Sequence, residues 1–462
     1  MPAGSAADQE SADLHAGIGY TLAGWTPMSK EVPMATEIRL GADDRKELLE
    51  RFLRYVAIDT ASDEESESCP STEKQKDLAR LLVRELEEVG CERVRMDDCA
   101  YVYGFLPERL PAGHPAAGKV PAVGLIAHMD TYPNTPGGGV KPQIIEGYDG
   151  GPITLPGAPD VVLDPAANPN LERCRGKTVI TTDGTTLLGA DDKAGIAEIM
   201  TALSWLRRHP EVPHGPVSIA FTPDEEIGRG ADHFDVEGFG ARYAYTLDGS
   251  DLGEIEDETF CADTVTVTIE GYDVHPGYAK DKLVNAIRVA SAIVDNLPER
   301  YLPETTEGRE PYLHPYTISG DVSKVEMKVL ARAFTVEELH RREDALRTVV
   351  AAVNERFPKA KITVDVQESY RNMAYKIAED PRVLEYALEA VRRAGLEPQR
   401  HAIRGGTDGS RLSFMGILTP NIFAGGQNFH SIREWVCLEW MEKAVEVTLQ
   451  LLQVWVERSA GE

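Results

Sequence analysis

The chain has 462 residues, which is too long for one ordinary hydrophobic core and predicts about two or three domains. Acidic residues outnumber basic residues by 76 to 48, and the resulting net charge of -28 repels phosphate backbones and anionic lipid surfaces. No apolar run reaches the ~18 residues that a membrane-spanning helix requires. Nucleic acid and membranes are therefore not expected as partners.

The N-terminal stretch and the cysteines bear on where the protein works. Residues 1–33 lack a basic start, a continuous apolar stretch and a small-residue cleavage site, so no secretory signal is predicted. We expect residues 1–40 to be a disordered N-terminal extension, and the alternative for residues 1–33 is a misassigned upstream start with Met34 as the true one.

The six cysteines include no CxxC pair, which argues against a structural zinc knot or a redox motif. Reduced thiols and a cytoplasmic location are the prediction.

Residues 41–261 are predicted to form the first part of an α/β domain. Helical spacing of apolar residues over 44–57 and 71–90 predicts two amphipathic helices. Apolar runs follow at VGLIA, VSIAF and AYTLD, and another helix lies between the first two of them. The inward face of that helix is predicted to consist of Ile196, Ile199, Met200 and Leu203. This alternation of strand and helix predicts a mostly parallel sheet.

The pattern changes between residues 262 and 371. TVTVTI alternates with a period of two, and a helix, two strand candidates, a second helix and the strand KITVDV follow it. The order βαββαβ predicts an inserted ferredoxin-like domain. Residues 372–462 return to the earlier style with a helix, the turn RGGTDG, the strand TPNIFA and a closing helix, so they are expected to form the second part of the α/β domain.

Potential metal ligands follow several of the predicted strands. Each has an ordinary explanation by itself, such as a surface ion pair or an acid at a helix N-terminus. The carboxyl ends of parallel strands, however, meet at one edge of an open α/β sheet, where such folds build their sites. Imidazoles and carboxylates without thiols suit Zn²⁺, Mn²⁺ or Co²⁺, and the number of donors favours two ions. The candidates are His128, Asp191, Asp192, Glu225, Glu226, Asp248 and His430.

An ordered series of motifs resembles the M20 family of dinuclear zinc peptidases, and within it the tripeptide aminopeptidases. The series covers about residues 40–457 and includes HMDT, TTLLGADDKAGIAEIMTAL, FTPDEEIGRGADHFDV, YTLDG, VHPGYAK, IRGGTDG and PNIFAGG. The resemblance implies that Asp191 bridges two Zn²⁺ ions, for which Mn²⁺ or Co²⁺ could substitute, and that a cis peptide bond follows it. The remaining ligands that it implies are His128 and Asp248 on one ion and Glu226 and His430 on the other.

The same resemblance assigns roles to further residues. Glu225 would be the general base that activates a metal-bridged water, and Asp130 would hold His128 in its metal-binding tautomer. His275 would stabilise the oxyanion from the second subunit of a homodimer, through the inserted lid or dimerisation domain. Arg404 would bind the C-terminal carboxylate of a small peptide, with an interdomain salt bridge as the alternative.

The function predicted from this resemblance is release of the N-terminal residue from tripeptides by a cytoplasmic, metal-dependent homodimer. One alternative is another M20 amidohydrolase, a dipeptidase or an N-acyl amino acid deacylase, which a requirement for a free or a blocked amine would distinguish. The other alternative is a noncatalytic binding protein on the same fold. Asn134 and residues 430–434 depart from the family's usual motifs, and these departures bear on specificity more than on the reaction.

Overall fold

The computed structural model of the protein describes residues 38–461. The N-terminal extension predicted for residues 1–40 lies almost wholly outside the described residues, and its disorder stays a prediction. Within the described part of the chain, no helix is both long and apolar enough to cross a bilayer.

The described residues form eleven α-helices and eighteen β-strands. The helices are α1 (Ala42–Val56), α2 (Gln75–Glu88), α3 (Pro169–Glu172), α4 (Ala190–Arg208), α5 (Val236–Phe239), α6 (Ala286–Asp295), α7 (Val336–Arg356), α8 (Ala374–Ile377), α9 (Arg382–Arg393), α10 (Asp408–Phe414) and α11 (Leu438–Ser459). The strands are β1 (Glu92–Met96), β2 (Val102–Leu106), β3 (Val123–His128), β4 (Gln143–Ile145), β5 (Ile153–Thr154), β6 (Val162–Leu163), β7 (Val179–Thr181), β8 (Val217–Thr222), β9 (Tyr243–Gly249), β10 (Glu254–Thr259), β11 (Cys261–Glu270), β12 (Tyr312–Gly320), β13 (Lys324–Ala333), β14 (Lys361–Tyr370), β15 (Gln399–Ile403), β16 (Asn421–Phe423), β17 (Gly426–Gln427) and β18 (Trp435–Cys437).

The largest sheet has eight strands in the order β1-β2-β8-β3-β9-β16-β10-β15. Its four central strands, β8, β3, β9 and β16, are mutually parallel, and antiparallel pairs occur on either side of them. Every residue of β3 and β8 is buried, as expected for continuous apolar strands that are covered on both faces. The prediction of a mixed α/β fold with a mostly parallel sheet is confirmed.

Helix α4 packs against β3 and β9 as well as against helices α1 and α11. Its predicted inward residues are all buried in the main core: Ile196, Ile199, Met200 and Leu203. The segment TTLLGA, which leads into this helix, does not form a strand. The backbone N–H groups of Leu188 and Gly189 donate to the carboxylate of Glu434 instead of to a neighbouring strand.

A second sheet is formed by β11 to β14 in the order β12-β13-β11-β14, with every neighbouring pair antiparallel. Val265, Val267 and Ile269 of β11 share one hydrophobic core with α6 and α7. The order βαββαβ and the ferredoxin-like arrangement of strands follow the sequence pattern. The domain boundaries at 262 and 371 remain a prediction.

A small sheet has four strands in the order β17-β18-β7-β4. Strands β17 and β18 pair with each other and enclose the loop that carries His430. Strand β18 also pairs with β7, which precedes α4 in the sequence. The loop is therefore anchored to the segment that leads into α4.

Two of the cysteines differ from the prediction of reduced thiols. Cys69 and Cys99 form a disulfide, with their Cα atoms 4.8 Å apart. That separation is in the ordinary range for a disulfide, and folding brings together two loops that no local spacing motif relates. The prediction of free thiols is wrong for this pair, whereas Cys91, Cys174, Cys261 and Cys437 are free and buried.

Candidate metal centre

The five predicted metal ligands lie around the carboxyl ends of the central strands. His128 ends β3, and Asp248 lies near the end of the adjacent strand β9. Glu226 belongs to a short 3₁₀ turn that follows β8, on the other side of β3. Asp191 lies in the first turn of α4, and His430 lies in the loop between β17 and β18. Parallel strands that are neighbours in one sheet thus bring distant parts of the chain to one place.

Asp191 lies between the two imidazoles. Its Oδ1 is 2.8 Å from His128 Nε2, and its Oδ2 is 3.2 Å from His430 Nε2. Asp248 Oδ1 is 3.6 Å from His128 Nε2, whereas Glu226 Oε2 is 2.8 Å from His430 Nε2. The side chains therefore divide into two pairs that share Asp191, which is the division that the sequence resemblance implied. Their roles as ligands remain a prediction.

The electrostatics of the cluster favour a cation. Burial raises the pKa of Glu226 to about 8, and its Oε1 atom is buried without a hydrogen-bond partner among the described residues. Burial alone would lower the pKa of His430, but Asp191 and Glu226 raise it to about 11. Carboxylates that are brought together away from water require positive charge for stability. The donors and their unpaired oxygen fit divalent cations.

Asp192 offers a second way to complete one half of the cluster. Donor atoms of His128, Asp191 and Glu226 lie within 4.8 Å of one another, and so do donor atoms of His128, Asp192 and Asp248. Asp192 Oδ2, however, also accepts a hydrogen bond from the backbone N–H of His128 at 3.2 Å. The peptide bond between Asp191 and Asp192 is cis, as the resemblance implied.

Asp130 orients more of the site than the sequence suggested. His128 Nδ1 is 3.1 Å from the backbone carbonyl oxygen of Asp130 and 3.4 Å from its Oδ1. Donation from Nδ1 would leave Nε2 free to face Asp191. The Asp130 carboxylate also accepts the backbone N–H groups of Glu225 at 2.9 Å and Glu226 at 3.2 Å. One buried carboxylate thus ties the strand of His128 to the turn that carries both glutamates.

Glu225 occupies the first position of the 3₁₀ turn, directly before Glu226. Burial raises the pKa of its carboxyl well above the usual range, although the nearby imidazole of His128 opposes that shift. The turn starts from Asp224, whose carboxylate accepts hydrogen bonds from Ser71 and Gln75. The position of the general base predicted from the sequence is therefore fixed by contacts on both sides.

Glu434 is a positioning residue that the sequence reasoning missed. Its buried carboxylate accepts the backbone N–H groups of Leu188 and Gly189, both at 2.8 Å, and that of Asp191 at 3.0 Å. These N–H groups lie at the start of α4, where the helix itself offers them no acceptor and a carboxylate is favoured. The only signal in the sequence was an acidic residue four positions after His430.

His275 and Arg404 do not contact the cluster within the described residues. His275 is exposed, and its Nδ1 accepts the backbone N–H of Gly277 at 3.1 Å. The Arg404 guanidinium donates to Thr306 Oγ1 at 3.0 Å and to the carbonyl oxygen of Gly308 at 2.7 Å. Arg404 thus joins the segment before α10 to the segment before β12 through neutral hydrogen bonds, and not through the salt bridge considered as the alternative.

A mostly parallel α/β sheet with a cluster of imidazoles and carboxylates at its carboxyl edge is an arrangement suited to metal-dependent hydrolysis. Residues 181–454 match the model of peptidase family M20/M25/M40. The chain belongs to this family and is a peptide-bond hydrolase.

Individual relatives agree with this assignment. Peptidase T of Geobacillus thermodenitrificans is 46% identical over 416 residues, which cover 90% of this chain and 100% of that protein. Peptidase T of Desulfitobacterium hafniense is 48% identical over 414 residues, with 90% and 99% covered. The crystal structure of the aminopeptidase PepT from Bacillus cereus has a TM-score of 0.67 and 25% identity, and the match covers 89% of this chain and 98% of that chain.

The role of Glu434 leads to a prediction about metal affinity. Both of its oxygens accept backbone N–H groups, so Glu434→Gln would place an amide N–H₂ against at least one of these donors and displace Asp191. We expect metal affinity to fall about 10- to 100-fold, as measured by calorimetric titration of the metal-free protein. Glu439→Gln is the matched control, because Glu439 also accepts a backbone N–H, that of Thr178, but does not contact the cluster. Unchanged affinity in Glu434→Gln would show that Asp191 is held by other contacts.

Proposed function

We propose that the protein is a tripeptide aminopeptidase that binds two divalent metal ions. The observation that carries this proposal is the Asp191 carboxylate, with one oxygen facing His128 and the other facing His430. Zn²⁺ is the first choice for imidazole and carboxylate donors, with Mn²⁺ and Co²⁺ as substitutes. The relatives named peptidase T support the substrate class, because they match 90% of this chain at 46% and 48% identity.

The site residues divide the work of amide hydrolysis. Bound divalent ions would polarise the scissile carbonyl group and acidify a water molecule. Glu225 accepts the proton of the attacking water and then delivers it to the leaving amine. The Asp130 carboxylate accepts the backbone N–H of Glu225 and so keeps Glu225 in place. The same carboxylate also accepts the backbone N–H of Glu226, which joins the proton acceptor to a proposed metal ligand.

The role of Glu225 can be separated from metal binding. Glu225→Gln keeps the size of the side chain but cannot accept a proton, so we expect activity on tripeptides to fall about 10²- to 10⁴-fold with full metal content. Elemental analysis and a peptidase assay measure the two quantities. Glu237→Gln, which changes an exposed glutamate, is the control and should behave as the unaltered protein.

The same assay tests the proposed substrate. A panel of di-, tri- and tetrapeptides, with free and acetylated N-termini, should show preferential release of the first residue from unblocked tripeptides. Preference for acetylated substrates would point to a deacylase, and preference for dipeptides would point to a dipeptidase. Either result would contradict the proposed function, and so would fully active protein that contains no metal.

We infer that the active form is a cytoplasmic homodimer in which the inserted sheet acts as a lid and dimerisation domain. His275 is exposed in the loop after β11, where Tyr272 and Tyr278 are 60% and 74% exposed. His275 does not contact the cluster of its own chain, and in the proposed homodimer a second subunit would bring it to a site. There it would donate a hydrogen bond to the oxyanion.

Subunit mixing tests this assignment of His275. Each homodimer of His275→Ala or Glu225→Gln should be nearly inactive, but a mixed dimer contains one site with both residues intact. We expect activity to return after subunit exchange, up to about half of the sites in each mixed dimer. Mass spectrometry of the mixture confirms that exchange took place. Exchange without recovery of activity would exclude His275 from acting across the interface.

For Arg404 we propose binding of the substrate's C-terminal carboxylate. A guanidinium suits this contact because it forms paired hydrogen bonds with a carboxylate. The distance from that contact to the metal centre would then select peptide length, since each residue adds about 3.3–3.6 Å of extended chain. In the structure the guanidinium donates to Thr306 and Gly308, so substrate binding would exchange these partners for a charged one.

Arg404→Ala distinguishes the proposed contact from a purely structural one. Loss of a carboxylate contact should lower kcat/KM for tripeptides and flatten the preference for tripeptides over dipeptides and C-terminal amides. Thr306→Val is the control, because it removes a hydroxyl that accepts from Arg404 but leaves the guanidinium in place. A lower melting temperature with unchanged length preference in Arg404→Ala would assign the residue to the contact with the segment before β12.

A further inference from the structure

The two imidazoles of the cluster are held in different ways. His128 is 3% exposed, and its Nδ1 faces the carbonyl oxygen of Asp130. His430 is 44% exposed, and the ion pairs that its ring forms with described residues, to Asp191 and Glu226, are made through Nε2 and leave Nδ1 out. Histidines that bind metals ordinarily have the second ring nitrogen fixed by a hydrogen bond. The orientation of the His430 ring therefore requires another contact.

Tyr132 supplies that contact. The rings of Tyr132 and His430 are stacked, with centroids 4.2 Å apart and planes inclined by 2°. A stacked neighbour restricts rotation of the imidazole plane while leaving its edge free. The edge that carries Nε2 points at Asp191 and Glu226.

The backbone of His430 is held by the same loop. Its φ angle is 60°, in the left-handed region that residues other than glycine seldom adopt. Thr135 Oγ1 donates to the carbonyl oxygen of His430 at 2.7 Å, and Asn134 Nδ2 donates to the Tyr132 hydroxyl at 3.3 Å. The loop that directly follows His128 at the end of β3 thus contacts both the ring and the backbone of His430.

We propose that Tyr132 is the residue that positions His430 for metal binding, in place of a hydrogen bond to its Nδ1. This inference rests on the proposed function for the presence of two ions. Stacking acts on the half of the site formed by Glu226 and His430, whereas His128 and Asp248 keep their own contacts. Removal of the aromatic ring should therefore weaken one ion selectively.

Co²⁺ is the probe, because its visible absorption reports the geometry of its ligands. Metal-free protein is titrated with Co²⁺ and followed by calorimetry and visible spectroscopy, for the unaltered protein, Tyr132→Leu and Tyr132→Phe. We expect Tyr132→Leu to bind one of its two ions about 10- to 100-fold more weakly, with a changed spectrum for that ion. Tyr132→Phe retains the stacked ring and should restore both the affinity and the spectrum. Tyr278→Leu, at the exposed tyrosine near His275, is the control.

The outcomes separate the inference from the function on which it rests. Unaltered protein that binds fewer than two Co²⁺ ions would overturn the two-metal function and this inference with it. Two ions in the unaltered protein, with unchanged affinities and spectrum in Tyr132→Leu, would overturn the inference alone. A fall in both affinities together with the melting temperature would also overturn it, because it would assign Tyr132 to general packing. Failure of Tyr132→Phe to restore binding would exclude the ring as the cause.

Discussion

The position of the Asp191 carboxylate between two imidazoles is the interaction on which the site depends. One oxygen faces His128 at the end of β3, and the other faces His430 in the loop between β17 and β18, so two distant parts of the chain meet at this carboxylate. Glu434 accepts the backbone N–H groups at the start of α4, including that of Asp191, and so holds the Asp191 backbone in place. Carboxylates gathered in this way need compensating positive charge: burial raises the pKa of Glu226, and the neighbouring carboxylates of Asp191 and Glu226 raise the pKa of His430.

The parts of the fold that depend on local patterns could be predicted from the sequence. Continuous apolar runs gave the buried strands β3 and β8, and a period of two gave β11. The sequence did not reveal how TTLLGA is held, because apolar residues do not show which group will accept their backbone N–H. The disulfide between Cys69 and Cys99 was missed for a related reason, since it joins two loops that only the folded chain brings together.

The candidate site was predictable as a set of residue types but not as a set of contacts. Strand ends marked His128 and Asp248, because the topology of parallel strands determines where such ends meet. The contact between Asp191 and Glu434 spans 243 positions in the sequence, so no spacing rule could relate them. Arg404 shows the same limit, because an interdomain salt bridge was the alternative considered for it, whereas the structure gives it carbonyl and hydroxyl oxygens as partners.

The unequal exposure of the two imidazoles follows from what a peptidase site requires. One side of the cluster must admit a substrate, so His430 cannot be enclosed in the way that His128 is. On an exposed side, water competes for a hydrogen bond to Nδ1 and reduces its net contribution. Stacking on Tyr132 suffers less from that competition, because contact between two ring faces removes apolar surface from water. The choice of restraint for each imidazole is thus a consequence of its access to solvent.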